Sequence, residues 1–316
     1  MGRRIHPPPK KFPFRSHAPS GCGRSIGWRG GIVFPIVEAK SLAPAVKQFK
    51  ILAPWVARKR QPGQFIVLRT HEEGERIPLT IVDSDPQAGT LTIIFQEVGK
   101  STLRLGELQA GDSILDLIGP LGRPTHIEKF GTVVCIGGGI GIAPVYPIAK
   151  GMREAGNTVV SIIGARTREL LILEEEMARV SHVLKVSTDD GSYGYHGFVS
   201  DVLQDLIDEG TSIDLVVAIG PVPMMRVVCN VTRNRNLKTV VSLNPIMVDA
   251  TGMCGACRVT VGGRTRFVCV DGPEFDGHEV NFAELVKRQR AYLKEEKTAM
   301  EIHLRHRGLC GGGGRP

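Results

Sequence analysis

Three cysteines and one aspartate near the C-terminal end carry the sharpest chemical signal in the chain. Asp249, Cys254, Cys257 and Cys269 are spaced Asp-x4-Cys-x2-Cys-x11-Cys. A plant-type [2Fe–2S] cluster is held by Cys-x4-Cys-x2-Cys followed by a more distant Cys, and this run matches that spacing with Asp in the first place. Gly252 and Gly255 free the backbone to wrap tightly around an inorganic core, so that its N–H groups point at sulfur and tune a redox potential. Two other readings of the same residues stay open: a structural zinc held by three Cys and one further ligand, and a cluster to which Asp249 is only a neighbour. As a ligand, the carboxylate is a harder donor than thiolate and alters the potential and lability of the centre.

A second set of residues could bind a phosphate-bearing cofactor. Gly137–Pro144 reads GGGIGIAP, directly after the apolar run Thr132–Ile136 and before a helical stretch. Glycines let a backbone approach a pyrophosphate, and the N-terminus of the following helix favours its negative charge. The run is not the G-x-G-x-x-G fingerprint, because Pro144 stands where the third glycine would be. Arg166 and Arg168 follow the next strand with no acid in the place that reads the ribose of NAD. Arginine there accommodates the additional phosphate of NADP, although solvated surface arginines would look the same.

A third set lies earlier: Arg76-Ile77-Pro78-Leu79-Thr80, then Gly99-Lys100-Ser101-Thr102, then Gly119-Pro120-Leu121-Gly122. Each alone could be a strand edge or a turn. Together they suit a flavin cradle, with an arginine and small hydroxyls for a pyrophosphate and a threonine for the ring system.

The elements that must position these groups follow from periodicity. Strands are expected at Val46–Ala53, Gln64–Arg69, Ile77–Asp83, Thr90–Val98 and Ser113–Ile118, separated by Gly and Pro, which describes a small antiparallel β-barrel. After Gly131 strands and helices alternate: strands Thr132–Ile136, Thr158–Ile163, His182–Ser187, Leu215–Ile219 and Thr239–Ser242, with helices from Gly141 to about Ala155 and at Arg168–Arg179, Phe198–Glu209 and Val222–Arg233. That rhythm implies a parallel sheet with crossover helices. Residues 243–280 are rich in Gly and Cys with little periodicity and need a metal centre as a staple. Glu284–Ala299 is charged and reads as a surface helix. The expected order is a basic tail (1–31), a barrel domain (32–126), an α/β nucleotide domain (127–242), a cluster domain with a C-terminal helix (243–300) and a second tail (301–316).

Composition narrows the function. The 316 residues carry a net charge of +8. Residues 1–31 hold seven basic and no acidic residues, so the rest is close to neutral and offers no basic face for nucleic acid. That Pro- and Arg-rich stretch reads as disordered and lacks the apolar core of a secretory signal. No apolar run reaches the ~18 residues of a membrane span. Seven cysteines, three of them clustered, fit a reducing, cytoplasmic compartment with one metal site and no disulfide framework. Cys135 and Cys229 read as core residues, and His196 as a local hydrogen bonder.

With these motifs in place, the sequence resembles the ferredoxin–NADP reductase superfamily over about residues 32–290. Its carriers are RIPLTIVD (76–83), GGGIGIAP (137–144), TDDGSYGYHGFVSDVL (188–203), GPVPMM (220–225) and SLNPIMVDATGMCGACRVTVGG (242–263). Within the superfamily it is similar to the small subunit of NADH-dependent ferredoxin–NADP oxidoreductase, also known as sulfide dehydrogenase, and to the electron-transfer subunit of dihydroorotate dehydrogenase B. The resemblance implies FAD on Arg76, Pro78, Leu79, Thr80, Gly99, Ser101 and Thr102. It implies a nicotinamide nucleotide on Gly137, Gly138, Gly139, Gly141, Pro144, Arg166, Asp190, Gly191, Gly220, Pro221 and Met224. It implies a [2Fe–2S] cluster on Asp249, Cys254, Cys257 and Cys269. Asp in the first ligand place resembles the ferredoxin–NADP oxidoreductase subunit, whereas the dihydroorotate relative resembles a four-cysteine site. Such small subunits generally use NADH, against the lean of Arg166 and Arg168, so NAD(P)H is the expectation. The implied function is an oxidoreductase subunit moving electrons between NAD(P)H, FAD and the cluster. Its implied partners are a larger flavoprotein and iron–sulfur subunit, similar to the small chain of glutamate synthase, and ferredoxin. A reading of another class is a zinc-stabilised nucleotide-binding module without turnover.

Overall fold

Alternating apolar residues build the first half of the chain into an antiparallel sheet. A computed structural model describes residues 33–311; the expected tail at 1–31, with Cys22, lies outside them. Strands β1 (Phe34–Ala43), β2 (Val46–Leu52), β3 (Phe65–Arg69), β4 (Ile77–Asp85), β5 (Thr90–Gln96), β6 (Ser113–Ile114) and β7 (Asp116–Leu121) pair in the order β6-β1-β2-β5-β4-β3-β7. The consecutive strands β6 and β7 occupy opposite edges of the sheet, on β1 and β3 respectively. The sheet therefore curls into a nearly closed barrel. The expected strand Ser113–Ile118 is broken at Leu115, whose N–H donates to the Arg69 carbonyl at 3.1 Å, so that one segment serves both edges. Inside, Phe49 and Phe95 meet edge to face with centroids 5.1 Å apart, and Ile36, Ile51, Ile66, Ile81 and Leu91 are almost wholly buried. Two short helices, α1 (Pro54–Lys59) and α2 (Lys100–Gly106), cover the barrel.

The second half alternates as expected. Strands β8 (Thr132–Gly138), β9 (Thr158–Ala165), β10 (Val183–Thr188), β11 (Tyr195–His196), β12 (Leu215–Ile219), β13 (Thr239–Ser242) and β16 (Glu274–Asp276) form one sheet in the order β11-β10-β9-β8-β12-β13-β16. All neighbours are parallel except β13 and β16, which are antiparallel. Helices α3 (Ile142–Glu154) and α4 (Glu174–Val180) cover one face; α5 (Val199–Asp208) and α6 (Val222–Arg233) cover the other.

Strand residues alternate between the faces. On β8, Val133 and Cys135 pack with α3 and α4 and with the barrel residues Val46, Val82 and Ile94. Val134 and Ile136 pack in the cluster that holds α5, α6, Cys257 and Cys269. One sheet thus supports the barrel on one side and the cysteine segment on the other.

Three expectations are corrected. The helix expected at Arg168–Arg179 is a short 3-10 turn (Arg168–Leu170) followed by α4, because Ile172 is drawn into the core at 3% exposure and Leu173 adopts a left-handed φ of 56°. The cysteine-rich segment has more regular structure than its composition suggested: a hairpin β14 (Arg258–Val261) and β15 (Arg264–Phe267), helix α7 (Val268–Asp271), and the edge strand β16 that joins it to the parallel sheet. The surface helix expected at Glu284–Ala299 is two helices, α8 (Phe282–Gln289) and α9 (Leu293–Gly311). The second runs through most of the expected tail and buries His303, whose Nε2 lies 3.7 Å from Glu107. No helix among the described residues is long and apolar enough to cross a membrane.

The turn between barrel and sheet hangs on one side chain. Asn157, 2% exposed, accepts from the N–H groups of Phe130 (2.6 Å) and Gly131 (3.0 Å) and donates to the carbonyls of Glu128 and Met152, both 2.8 Å. Asn157→Ala leaves four backbone groups without this partner, the Met152 carbonyl among them buried and the Phe130 and Gly131 N–H groups half-buried, and such groups are costly to leave unpaired. Urea unfolding should show a loss of about 2–4 kcal/mol; a loss within the error of the measurement would refute this role.

Candidate functional site

The parallel sheet changes direction between β8 and β12, where ligands enter an open α/β sheet. A cleft of about 1050 Å³ opens there and extends to the barrel. Close packing shapes it. At Gly141 a Cβ would collide with the carbonyl of Ile219 at the end of β12, so α3 begins hard against the next strand. Gly139, with a left-handed φ of 56°, has nothing within 4 Å of the position a Cβ would take, leaving bare backbone facing open space. This is the geometry a pyrophosphate needs at a helix N-terminus.

The structure brings most of the expected residues to this cleft. Pro78, Leu79 and Thr80 of β4 and Thr102 of α2 line the barrel side; Gly138, Gly139, Gly141, Pro144, Arg166, Gly220, Pro221 and Met224 line the other. Gly137 sits behind the turn, where a Cβ would lie 2.8 Å from Ile142 Cα. Others fall outside the lining. Arg76 is exposed, and Ser101 borders a small neighbouring crevice, where its hydroxyl donates to Glu75. Gly99 closes the start of α2, its N–H donating to Thr102 Oγ1 at 3.0 Å.

At the end of β10 the cleft residue is Asp189, not Asp190 or Gly191. Asp190 instead caps its own turn, accepting from Ser192 N (3.0 Å) and Oγ (2.6 Å), which lowers its pKa. Burial raises the pKa of Asp189, and the nearby Arg166 guanidinium opposes that. The pair of adjacent acids was visible in the sequence, but only the turn bonds of Asp190 tell which one is free to face a ligand. Arg168 stacks over the Tyr193 ring, 4.9 Å from its centroid, and does not line the cleft. Phe198, 59% exposed in the cleft wall, is a further residue the sequence did not single out.

The cysteine segment begins inside the same cleft. Ser242, Asn244, Pro245 and Met247 line it, and Asp249 follows two residues later. The four expected ligands fall in two groups. Cys257 and Cys269 are buried, and the Cys269 N–H donates to Cys257 Sγ at 3.4 Å. Burial, then the neighbouring Cys257, pushes the Cys269 thiol up to about 12. Cys254 is exposed, and its Sγ accepts from Ala256 N–H at 3.4 Å. Asp249 Oδ1 accepts from Thr251 N–H and Oδ2 from Cys254 N–H, both 2.9 Å, so its carboxyl is held below the usual range. Among the described residues no three His, Cys, Asp or Glu side chains converge as a closed metal site. The donors nevertheless suit iron and sulfide: three soft sulfurs, backbone N–H groups already on two of them, and glycines at φ 86° (Gly252) and 66° (Gly255) turning the loop. Cys135 and Cys229 are core thiols, as expected, both pushed up to about 12 chiefly by burial.

Two families match parts of the chain. Residues 135–230 match the oxidoreductase NAD-binding domain, and residues 244–281 match the iron–sulfur cluster binding domain of dihydroorotate dehydrogenase B. The second match favours iron and sulfide over zinc. Because Gly141 admits no side chain, Gly141→Ala should weaken NADH binding by at least about tenfold in a fluorescence titration; unchanged affinity would show that the turn does not hold the nucleotide.

Relatives span nearly the whole described chain. The dihydroorotate dehydrogenase B electron transfer subunit homolog of Thermotoga maritima is 48% identical over 273 residues, covering 86% of this chain and 96% of its own. The electron transfer subunit of dihydroorotate dehydrogenase B from Geobacillus thermodenitrificans is 34% identical, covering 78% and 96%. A chain in a solved structure of NADH-dependent reduced ferredoxin–NADP oxidoreductase, described for flavin-based electron bifurcation, superposes with a TM-score of 0.83 at 46% identity, covering 88% of this chain and all of that one. At these identities and coverages the chain belongs to the family of dihydroorotate dehydrogenase B electron transfer subunits and their homologues.

Proposed function

We propose that the chain is the nicotinamide- and flavin-binding subunit of a cytoplasmic heterodimer of the ferredoxin–NADP oxidoreductase type, moving electrons between NAD(P)H, FAD and a [2Fe–2S] cluster. The observation that carries this is the continuity of the site. One cleft joins Pro78–Thr80 of the barrel, the Gly138–Gly141 turn and the Ser242–Met247 strip, which leads into the cysteine loop.

When bound, a flavin accepts the electron pair of a nicotinamide hydride and releases electrons singly, chemistry that belongs to the cofactor. The protein places and tunes. Pro78, Leu79 and Thr80 would bound the flavin ring, while Arg76, Gly99, Ser101 and Thr102 would hold its phosphates. Gly137, Gly138, Gly139, Gly141 and Pro144 would take the nicotinamide nucleotide's pyrophosphate, with Gly220, Pro221 and Met224 across the crevice. Arg166 after β9 and Asp189 after β10, both lining the cleft, would read the far ribose, together with the turn at Asp190 and Gly191. The apolar residues of the cleft wall would exclude water from bound cofactors. Asp249, Cys254, Cys257 and Cys269 would hold the cluster, leaving a one-electron exit.

A partner is supported by the surface beside that exit. Met253 is 87% exposed, and Val248 and Val270 are also exposed; the Val270 side chain packs within 3.1 Å of the space beside Gly252. Apolar groups left open next to a one-electron centre suit a larger redox subunit, with ferredoxin as a further partner. The dihydroorotate dehydrogenase B reading is favoured by the names of two relatives; Asp in the first ligand place and the 46% identical structure favour the first.

Purified without air, the chain should contain flavin, iron and acid-labile sulfide, and NADH or NADPH should bleach its visible spectrum. Cys269→Ser should lose most of the iron and keep the flavin. Asp249→Cys should keep iron and change the EPR spectrum of the reduced cluster; an identical spectrum would leave Asp249 as a loop cap alone. A colourless protein containing zinc would overturn the proposal.

A further inference from the structure

Between Cys254 and Cys257 stand Gly255 and Ala256, and an arginine sits on the carbonyl of each. Arg258 Nη1 donates to the Gly255 carbonyl at 3.1 Å, and Arg288 Nη2 donates to the Ala256 carbonyl at 2.9 Å. The same turn serves sulfur through its N–H groups: Ala256 N–H donates to Cys254 Sγ at 3.4 Å. The peptide that Arg288 holds is the one whose nitrogen belongs to Cys257.

The two arginines arrive differently. Arg258 opens β14 and is exposed, so water and salt screen it. Arg288 comes from α8 and is half-buried. That helix is held firmly. Asn281 caps its start, with Oδ1 accepting from Glu284 N–H at 3.0 Å. Phe282 and Leu285 enter the core that also holds Cys257 and Cys269. Gln289 Nε2 donates to the carbonyl and Oδ1 of Asn244, at 2.9 and 3.0 Å, on the strip that lines the cleft. Arg288 follows Leu285 by about one turn and so lies on the same face of the helix.

No carboxylate neutralises it. Among the described residues neither arginine forms an ion pair. The acids of the segment have other donors. Glu284, on α8 itself, accepts from Thr260 N–H at 3.1 Å. Asp271 accepts from Phe267 N–H at 2.8 Å and lies 3.7 Å from Arg123. Arg288 Nε is buried and has no acceptor among the described residues. A buried donor left open is costly, so local bonding alone does not account for an arginine here. A cation in the last turn of α8 also complements the helix dipole, but any basic residue does that without a bond to Ala256.

We propose that Arg288 is a positioning residue that sets the reduction potential of the [2Fe–2S] centre: bonded to the Ala256–Cys257 peptide, it fixes a positive charge beside the two-cysteine turn and makes the centre easier to reduce. The inference rests on the electron-transfer reading above. The sign follows from charge. Passing one electron oxidises the reduced flavin by one and reduces the cluster by one, which adds one negative charge beside the turn. A fixed cation stabilises that added charge, and more so where burial limits screening. Net charge and hydrogen bonding around the sulfurs are the levers that set such potentials. The bond to Ala256 acts in the same direction, because drawing electron density to its carbonyl oxygen makes the Cys257 N–H a stronger donor. Arginine suits the place, since its planar fork holds the carbonyl with one nitrogen and keeps its charge.

The test uses the full chain with its cofactors, purified without air, as wild type, Arg288→Gln, Arg288→Lys and Arg258→Gln. Redox titration followed by EPR of the reduced cluster reads its midpoint potential, and visible spectra read that of the flavin. Arg288→Gln should shift the one-electron equilibrium of the cluster at least about threefold towards the oxidised form, about 28 mV at about 59 mV per tenfold, with the flavin midpoint unchanged. Arg288→Lys keeps the charge and should retain most of the wild-type midpoint. Arg258→Gln should give a smaller shift that fades in about 1 M salt, where the Debye length is about 3 Å, while the Arg288→Gln shift persists. Equal midpoints in wild type and Arg288→Gln, or an Arg288→Lys protein shifted as far as Arg288→Gln, would overturn the proposal. So would a larger shift from Arg258→Gln. Arg288→Met, with its stem intact, stands in if Arg288→Gln loses iron; loss from both would make the residue a structural prop and overturn the proposal too. A wild type without iron would defeat the electron-transfer reading itself, whereas iron in every variant at one common midpoint defeats this proposal alone.

Discussion

The cleft depends on one close approach, backbone against backbone, where the start of α3 meets the end of β12. Gly141 is the contact, and no side chain fits there. The approach is possible because β8 and β12 are adjacent parallel strands whose crossovers run to opposite sides, which parts their following loops and leaves a crevice at the carboxyl ends. Everything else that faces the crevice is positioned relative to that contact: the bare turn at Gly139, the segment at Gly220 and Pro221 on the facing loop, and Arg166 one strand away.

The parallel sheet acts as a two-sided mount. Its strands are buried on both faces, as parallel strands are, but the two coverings differ. Beyond α3, one face continues into the barrel core through Val46, Val82 and Ile94; beyond α6, the other continues into the cysteine segment through Val259, Val268 and Leu285. A rigid, close-packed layer between the two fixes both against the same cleft. Electron carriers need this arrangement more than they need reactive side chains, because the protein's contribution is fixed distance and local polarity.

Legibility followed from where chemistry constrains sequence. The cysteine spacing could be read because ligands must recur at set intervals, and the strand–turn–helix at 132–155 because it combines a buried run with glycines that a side chain would block. Most barrel strands were legible from alternation, but not the break at Leu115 that divides β6 from β7, nor β1, whose Phe34–Ala43 alternation is diluted by Pro35 and by exposed Lys40 and Ser41. What could not be read was set by partners distant in the chain. Asn157 looks like any turn residue until its four backbone partners are seen. The run Leu171–Leu173 looked helical, and the burial of Ile172 with the left-handed φ of Leu173 breaks it. β16 is three residues long, and only its pairing with β13 makes it a strand.

The cysteine segment shows how such a short stretch is stabilised from two directions. Its buried half, Cys257, Val259, Val268 and Cys269, is part of the large core. Its exposed half, from Val248 to Gly255, buries little besides Ala250 and is shaped by turn bonds to Asp249. In the proposed assignment the ligands come equally from the two halves, two from each. Binding a metal centre across them would transfer the order of the core to the exposed turn, so that cofactor binding and local folding become one equilibrium. The carboxylate of Asp249 then has two competing uses, capping its own turn and donating to iron. Each of its oxygens spends one lone pair on a backbone N–H and keeps another, so the two uses are chemically compatible. A cysteine in that place would donate to iron as well, but with a single sulfur it could not hold both N–H groups through two separate oxygens.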